Sequence, residues 1–135
     1  MRGLDSTKRR AIDCCIYIST YGNSLQSINN WKRWNDSASG PFSHKVDMGR
    51  IALMGHSRGG EAAAVAAAFN TLPYYPDDAK QKFNFRFAIK GVVAIAPVDG
   101  QYTPASRPTP LANVNYLLLH GSHDGDVDRK STRLN

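Results

Sequence analysis

The sequence predicts an α/β fold with a mostly parallel sheet and flanking helices, on three observations. Apolar runs at residues 50–54, 91–96 and 116–120 read as strands, the second stopped by Pro97 and the third by Gly121. All three runs are continuous rather than alternating, which is the pattern of parallel strands covered on both faces. An alanine-rich stretch at residues 58–70 separates the first two and reads as a crossover helix, its small side chains suited to close packing on a sheet. Strand, helix, strand, loop, strand is the order of a doubly wound sheet, in which ligands bind at the carboxyl ends of the strands.

The remaining elements follow from pattern. In residues 23–35, Leu25, Ile28, Trp31 and Lys32 or Trp34 recur at three- and four-residue intervals, so one apolar helical face is expected, with Asn23 or Ser24 as its cap. Residues 11–18 form an apolar run that fits helix or strand by pattern, and helix is the expectation there. Residues 36–45, rich in Ser, Gly and Pro, read as a surface loop. Residues 73–87 are an insertion before the second strand. Its Tyr74, Tyr75, Phe83, Phe85 and Phe87 either line an apolar acyl or aromatic pocket or pack as a half-buried loop, and the second reading is the expected one. The organisation expected is an N-terminal helical segment and loop at 1–45, a core at 46–128 and a tail at 129–135.

Composition narrows the function classes. The 135 residues suit one small domain, and 41% hydrophobic with 21% charged residues is a globular balance rather than a disordered one. No run approaches the roughly 18 apolar residues needed to cross a bilayer, and residues 1–8 lack the apolar stretch of a signal peptide. The net charge of +6 sits at the ends: residues 1–10 sum to +3 and residues 129–135 to another +3. The segment between is balanced and has no basic stripe, so no nucleic-acid partner is expected. Cys14 and Cys15 are sequence neighbours that would pair only in a strained ring, so burial as small apolar side chains in a helix is expected and the redox compartment stays open.

Chemistry concentrates in Gly55-His56-Ser57-Arg58-Gly59-Gly60, a G-x-S-x-G turn that follows an apolar strand and opens a helix. A serine hydroxyl attacks a carbonyl only if it is held exposed, near a base and beside donors for the oxyanion. A sharp strand-to-helix turn supplies the first and the third. The serine in such a turn takes a strained backbone conformation, and Gly55 and Gly59, two residues on either side, are small because anything larger would collide. Gly60 lets the helix start close to the sheet. The Arg58 N–H is the expected oxyanion donor, aided by the positive end of the helix. The alternative, a phosphate-binding turn, is disfavoured because neither G-x-x-x-x-G-K-[ST] nor G-x-G-x-x-G spacing is present.

Gly55 to Ala62 (GHSRGGEA), taken with His120 to Val127 (HGSHDGDV), resembles the α/β-hydrolase superfamily, within it the dienelactone-hydrolase-like, chlorophyllase-like and platelet-activating-factor-acetylhydrolase-like esterases. The resemblance covers about residues 46–127 and implies a partial α/β-hydrolase fold. It also implies a Ser, Asp, His order along the chain and hydrolysis of a small-molecule ester or related acyl substrate without a cofactor. On the same resemblance Asp124 is the acid that orients the histidine, with Asp99 as the rival and Asp126 third, although each also suits a turn cap. Asp124, Asp126 and Asp128 open like a calcium loop, but Arg129 stands where glycine is needed and Asn135 where the bidentate glutamate belongs, so no metal is expected.

All four histidines, His44, His56, His120 and His123, precede Asp124. His56 is expected to point away from Ser57, His120 to be a packed core residue and His123 to be a neighbour of the acid. The resemblance puts the base after the acid. Residues 129–135 (RKSTRLN) break from the expected helix and resemble translated adapter sequence, so the expectation is a serine esterase or acylhydrolase whose catalytic histidine is lost by truncation. A non-catalytic binding module of the same fold is the alternative.

Overall fold

The computed structural model describes residues 12–18, 24–98, 100–107 and 110–123. Four strands, β1 (Ile12–Ile18), β2 (Val46–His56), β5 (Ile89–Ile95) and β6 (Asn115–Leu119), pair in parallel in the order β1-β2-β5-β6. Helix α1 (Ser24–Asp36) joins β1 to β2, and α2 (Arg58–Phe69) lies between β2 and β5. A short antiparallel hairpin, β3 (Tyr74–Tyr75) and β4 (Asp78–Lys82), interrupts the return to β5, and a 3₁₀ turn at Pro104–Ser106 precedes β6. The three strands and two helices expected from the apolar pattern are all present, each within a few residues of its expected bounds.

The expectation for residues 11–18 was wrong in type. Residues 12–18 are a strand, and Cys14, Ile16 and Ile18 are buried while Cys15 and Tyr17 are exposed. That alternation is the period of two imposed by a pleated strand with one face covered, and the β-branched isoleucines favour it. The two cysteines therefore point to opposite faces, and only Cys14 is buried; that burial, and next the neighbouring Cys15, raise its thiol pKa.

Both helices lie on one face of the sheet. Each crossover steps the same way across the strand order, and right-handed connections then place their helices together. Leu25 and Ile28 of α1, Ala62, Ala63, Ala66 and Ala67 of α2, and Ile16, Leu53 and Val92 of the strands accordingly share one core. Alanine at four facing positions lets α2 lie close over β2 and β5, as its contacts with those strands show. Two asparagines fix the helix ends. Asn70 donates from Nδ2 to the Phe87 carbonyl and accepts the Phe87 N–H at Oδ1, both at 2.8 Å. Asn35 accepts the Val46 N–H at 2.8 Å on its side chain and the His44 N–H at 2.8 Å on its backbone. Buried side chains at the helix ends thus tie α1 to the start of β2 and α2 to the segment before β5.

The expectation of cover on both faces was not met among the described residues. Register places Tyr17, Met54, Val93 and Leu117 in one row on the face away from the helices, where Tyr17 is 59% and Leu117 51% exposed. Apolar side chains on that row contribute little in this arrangement, whereas the helix-covered row carries the core. Truncating Leu53 to alanine should cost about 2–5 kcal/mol in urea denaturation. Tyr17→Ser should cost less than about 1 kcal/mol. Equal losses would contradict one-sided packing.

Candidate active site

Strand β2 ends at His56 and α2 begins at Arg58, so Ser57 alone makes the turn between them. Its backbone sits at φ 54° and ψ −122°, outside every ordinary well for an L-residue, and such a conformation costs on the order of 1–3 kcal/mol. The surroundings hold it there. The Ser57 N–H donates to the Ile95 carbonyl at 2.9 Å, tying the turn to the end of β5, and its carbonyl accepts from Gly60 at 3.0 Å and from Val98 at 3.4 Å. The side chain makes no capping bond to the helix it precedes. A strained serine that does not cap has its hydroxyl left for something else.

The glycines around it follow from close approach. A Cβ on Gly55 would fall inside the van der Waals shell of the Gly59 carbonyl group and 2.7 Å from the Gly60 nitrogen. At Gly60 a Cβ would meet the Pro97 Cβ at 3.0 Å and the Gly55 carbonyl oxygen at 3.2 Å. Strand end and helix start therefore touch through bare backbone, and Pro97 of the chain leaving β5 packs against Gly60. In that first turn an α-helix offers no acceptor to the amides of Arg58 and Gly59, and the positive end of the helix dipole lies beside Ser57. A negative charge developing next to the hydroxyl would meet an N–H donor and a favourable field.

Other expected site residues fall differently. Asp124, Asp99 and Asp126 lie outside the described residues. His44 precedes β2 at the opposite edge of the sheet, about 30 Å of strand from Ser57. His56 is exposed, on the side-chain row of Ile95. His120 is exposed rather than packed in the core, because β6 is the sheet edge and its residues are uncovered. His123 follows β6 at the same edge as Ser57 and its Nδ1 lies 3.1 Å from the Ser122 hydroxyl.

The aromatic insertion packs as a half-buried cluster. Tyr75, Phe83 and Tyr102 surround Phe69 at centroid distances of 5.8, 6.1 and 6.2 Å, and Phe85 and Phe87 continue the chain of rings. The hydroxyls of Tyr75 and Tyr102 are hydrogen-bonded, and burial first, then that bond, raises the pKa of Tyr102. A cavity of about 310 Å³ opens among Leu25, Val65, Phe69, Tyr75, Phe83 and Tyr102, but none of its walls belongs to the turn at Ser57. Among the described residues no three His, Cys, Asp or Glu side chains gather as a metal site, and no helix is long and apolar enough to cross a membrane.

No protein-family model matches the chain, and no curated protein does. The class its described residues define is an α/β protein with a parallel four-stranded sheet, two helices on one face and a strained serine at the carboxyl edge.

Sequence reasoning missed Glu61, whose carboxylate reaches the chain after β5, and the two helix-terminal asparagines. Glu61 had a visible signal in its place one turn after Ser57.

If the turn stores strain at Ser57, Ser57→Gly should be more stable than Ser57→Ala by about 1 kcal/mol, since glycine relieves the strain at a smaller entropic cost. Gly55→Ala should lose about 1–3 kcal/mol or more through overpacking. Thermal and urea unfolding of the three variants check both orders.

Proposed function

We propose that this chain carries the nucleophile of a serine hydrolase of the α/β-hydrolase type, acting on a carboxylic ester or related acyl substrate. The observation that supports it best is the backbone of Ser57, at φ 54° and ψ −122° between Gly55 and Gly59 at the carboxyl end of a parallel strand. In this reading Ser57 Oγ attacks the acyl carbonyl carbon as its proton passes to a histidine. The resulting oxyanion is stabilised by the Arg58 N–H and the amino end of α2, and the leaving alkoxide takes the proton back. Water then cleaves the acyl-serine ester by the same route. Asp124 is the orienting carboxylate, with Asp99 as its rival, and the histidine follows the acid in chain order. The reading therefore gives the role of base to none of His44, His56, His120 and His123. It requires no cofactor.

Loss of the base costs a serine hydrolase several orders of magnitude, the residual rate coming from the oxyanion site and binding. A fluorophosphonate probe should accordingly label Ser57 slowly in this chain. Added imidazole, standing in for the base, should raise that rate about tenfold or more, within the range of general-base catalysis. Ser57→Ala should abolish labelling, as read by mass spectrometry of the modified peptide. Absence of any label on Ser57 with imidazole present would overturn the reading, and fast labelling without it would place the base among the four histidines.

A further inference from the structure

Ser57 stands just before α2 and Glu61 in its first turn, where the Glu61 N–H donates to the Ser57 carbonyl at 3.4 Å. Each offers an acceptor to the chain that leaves β5. The Ser57 carbonyl accepts the Val98 N–H at 3.4 Å, and Glu61 Oε1 accepts two further amides, Gln101 N–H at 3.0 Å and Tyr102 N–H at 3.3 Å. These contacts cross forty residues of sequence, between segments with no strand pairing there to hold them.

That segment occupies a particular place. It emerges from the carboxyl end of β5, the strand beside β2, and its described residues Val98, Gln101 and Tyr102 form a wall on the β5 side of Ser57, at the edge where an α/β sheet binds its ligand. Just after Gln101, the Tyr102 ring packs on Phe69 and its hydroxyl bonds Tyr75. The wall is thus held at one end by the turn and at the other by the aromatic cluster, with a carboxylate in between.

We propose that Glu61 is a positioning residue: its carboxylate clasps Gln101 and Tyr102 to the first turn of α2 and so fixes the wall beside Ser57. A first-turn acid also favours the helix dipole, but that role needs only charge near the end of α2. The clasp needs an oxygen acceptor at the Oε1 position, and a glutamine keeps that oxygen while removing the charge. The part of the proposal that concerns reactivity at Ser57 rests on the hydrolase reading; the clasp itself does not.

Glu61→Ala and Glu61→Gln in the whole chain separate the two roles. Amide hydrogen exchange at Gln101 and Tyr102 should accelerate about tenfold or more in Glu61→Ala and no more than about threefold in Glu61→Gln, charge-assisted bonds being stronger than neutral ones. Imidazole-assisted fluorophosphonate labelling of Ser57 should slow in the alanine variant and recover in the glutamine variant, while circular dichroism reports both as folded. Unchanged exchange at the two amides in Glu61→Ala would overturn the clasp, as would a glutamine variant as fast as alanine. Clasp exchange as expected with labelling equally fast in all three forms would overturn the positioning role. Absence of label in the parent chain would count against the hydrolase reading, with the exchange arm still deciding the clasp.

Discussion

The contact on which the rest depends is the one between bare backbones at Gly55, Gly59 and Gly60. Strand β2 and helix α2 meet there with no room for a Cβ on Gly55, so the chain reverses within a single residue. That brevity forces Ser57 to a positive φ and leaves its side chain without a capping bond to α2. It also brings the start of α2 down onto the sheet, and the alanines that follow keep it there. A larger residue at Gly55 would lift the helix, loosen the alanine face from Ile51, Leu53 and Val92, and relax the serine together.

The strain is local and its compensation is distributed. On the order of 1–3 kcal/mol is stored at one residue. Opposing it are the hydrogen bond from Ser57 to Ile95, the bonds that its carbonyl receives, and burial of Ala62, Ala63, Ala66 and Ala67 against the strands. Net hydrogen bonds contribute about 0.5–1.5 kcal/mol each, so a few of them suffice to hold the turn. The same arrangement sets the first amides of α2 next to Ser57 in the chain, at the positive end of the helix dipole. Fold stability and the electrostatics of the turn therefore come from one set of contacts.

Much of this was legible in the sequence because it is local. Glycines two residues either side of a serine, after an apolar run and before alanines, name the turn and the helix without knowledge of the tertiary fold. Residues 12–18 were not legible as strand because neighbouring cysteines and isoleucines suit either period, and only pairing with β2 decides between them. Exposure of Leu117 and His120 was hidden for a related reason. An apolar run announces a strand but not whether it ends up at an edge, which depends on what lies beside it. Asn35, Asn70 and Glu61 act through backbone groups at 11, 17 and 40 residues' separation, and their side chains carry no local mark of that.

The most direct test of the central claim is the reactivity of a thiol in the serine's place. In Ser57→Cys, a sulfur at the strained bend beside the amino end of α2 should have a pKa below the ordinary value of about 8.5, as thiolates at helix N-termini do. Alkylation by iodoacetamide, followed peptide by peptide across pH, should then be faster at position 57 than at the exposed Cys15 near neutrality. A thiol at position 57 that is unreactive, or that titrates at or above the ordinary value, would contradict a presented side chain in a field favouring negative charge.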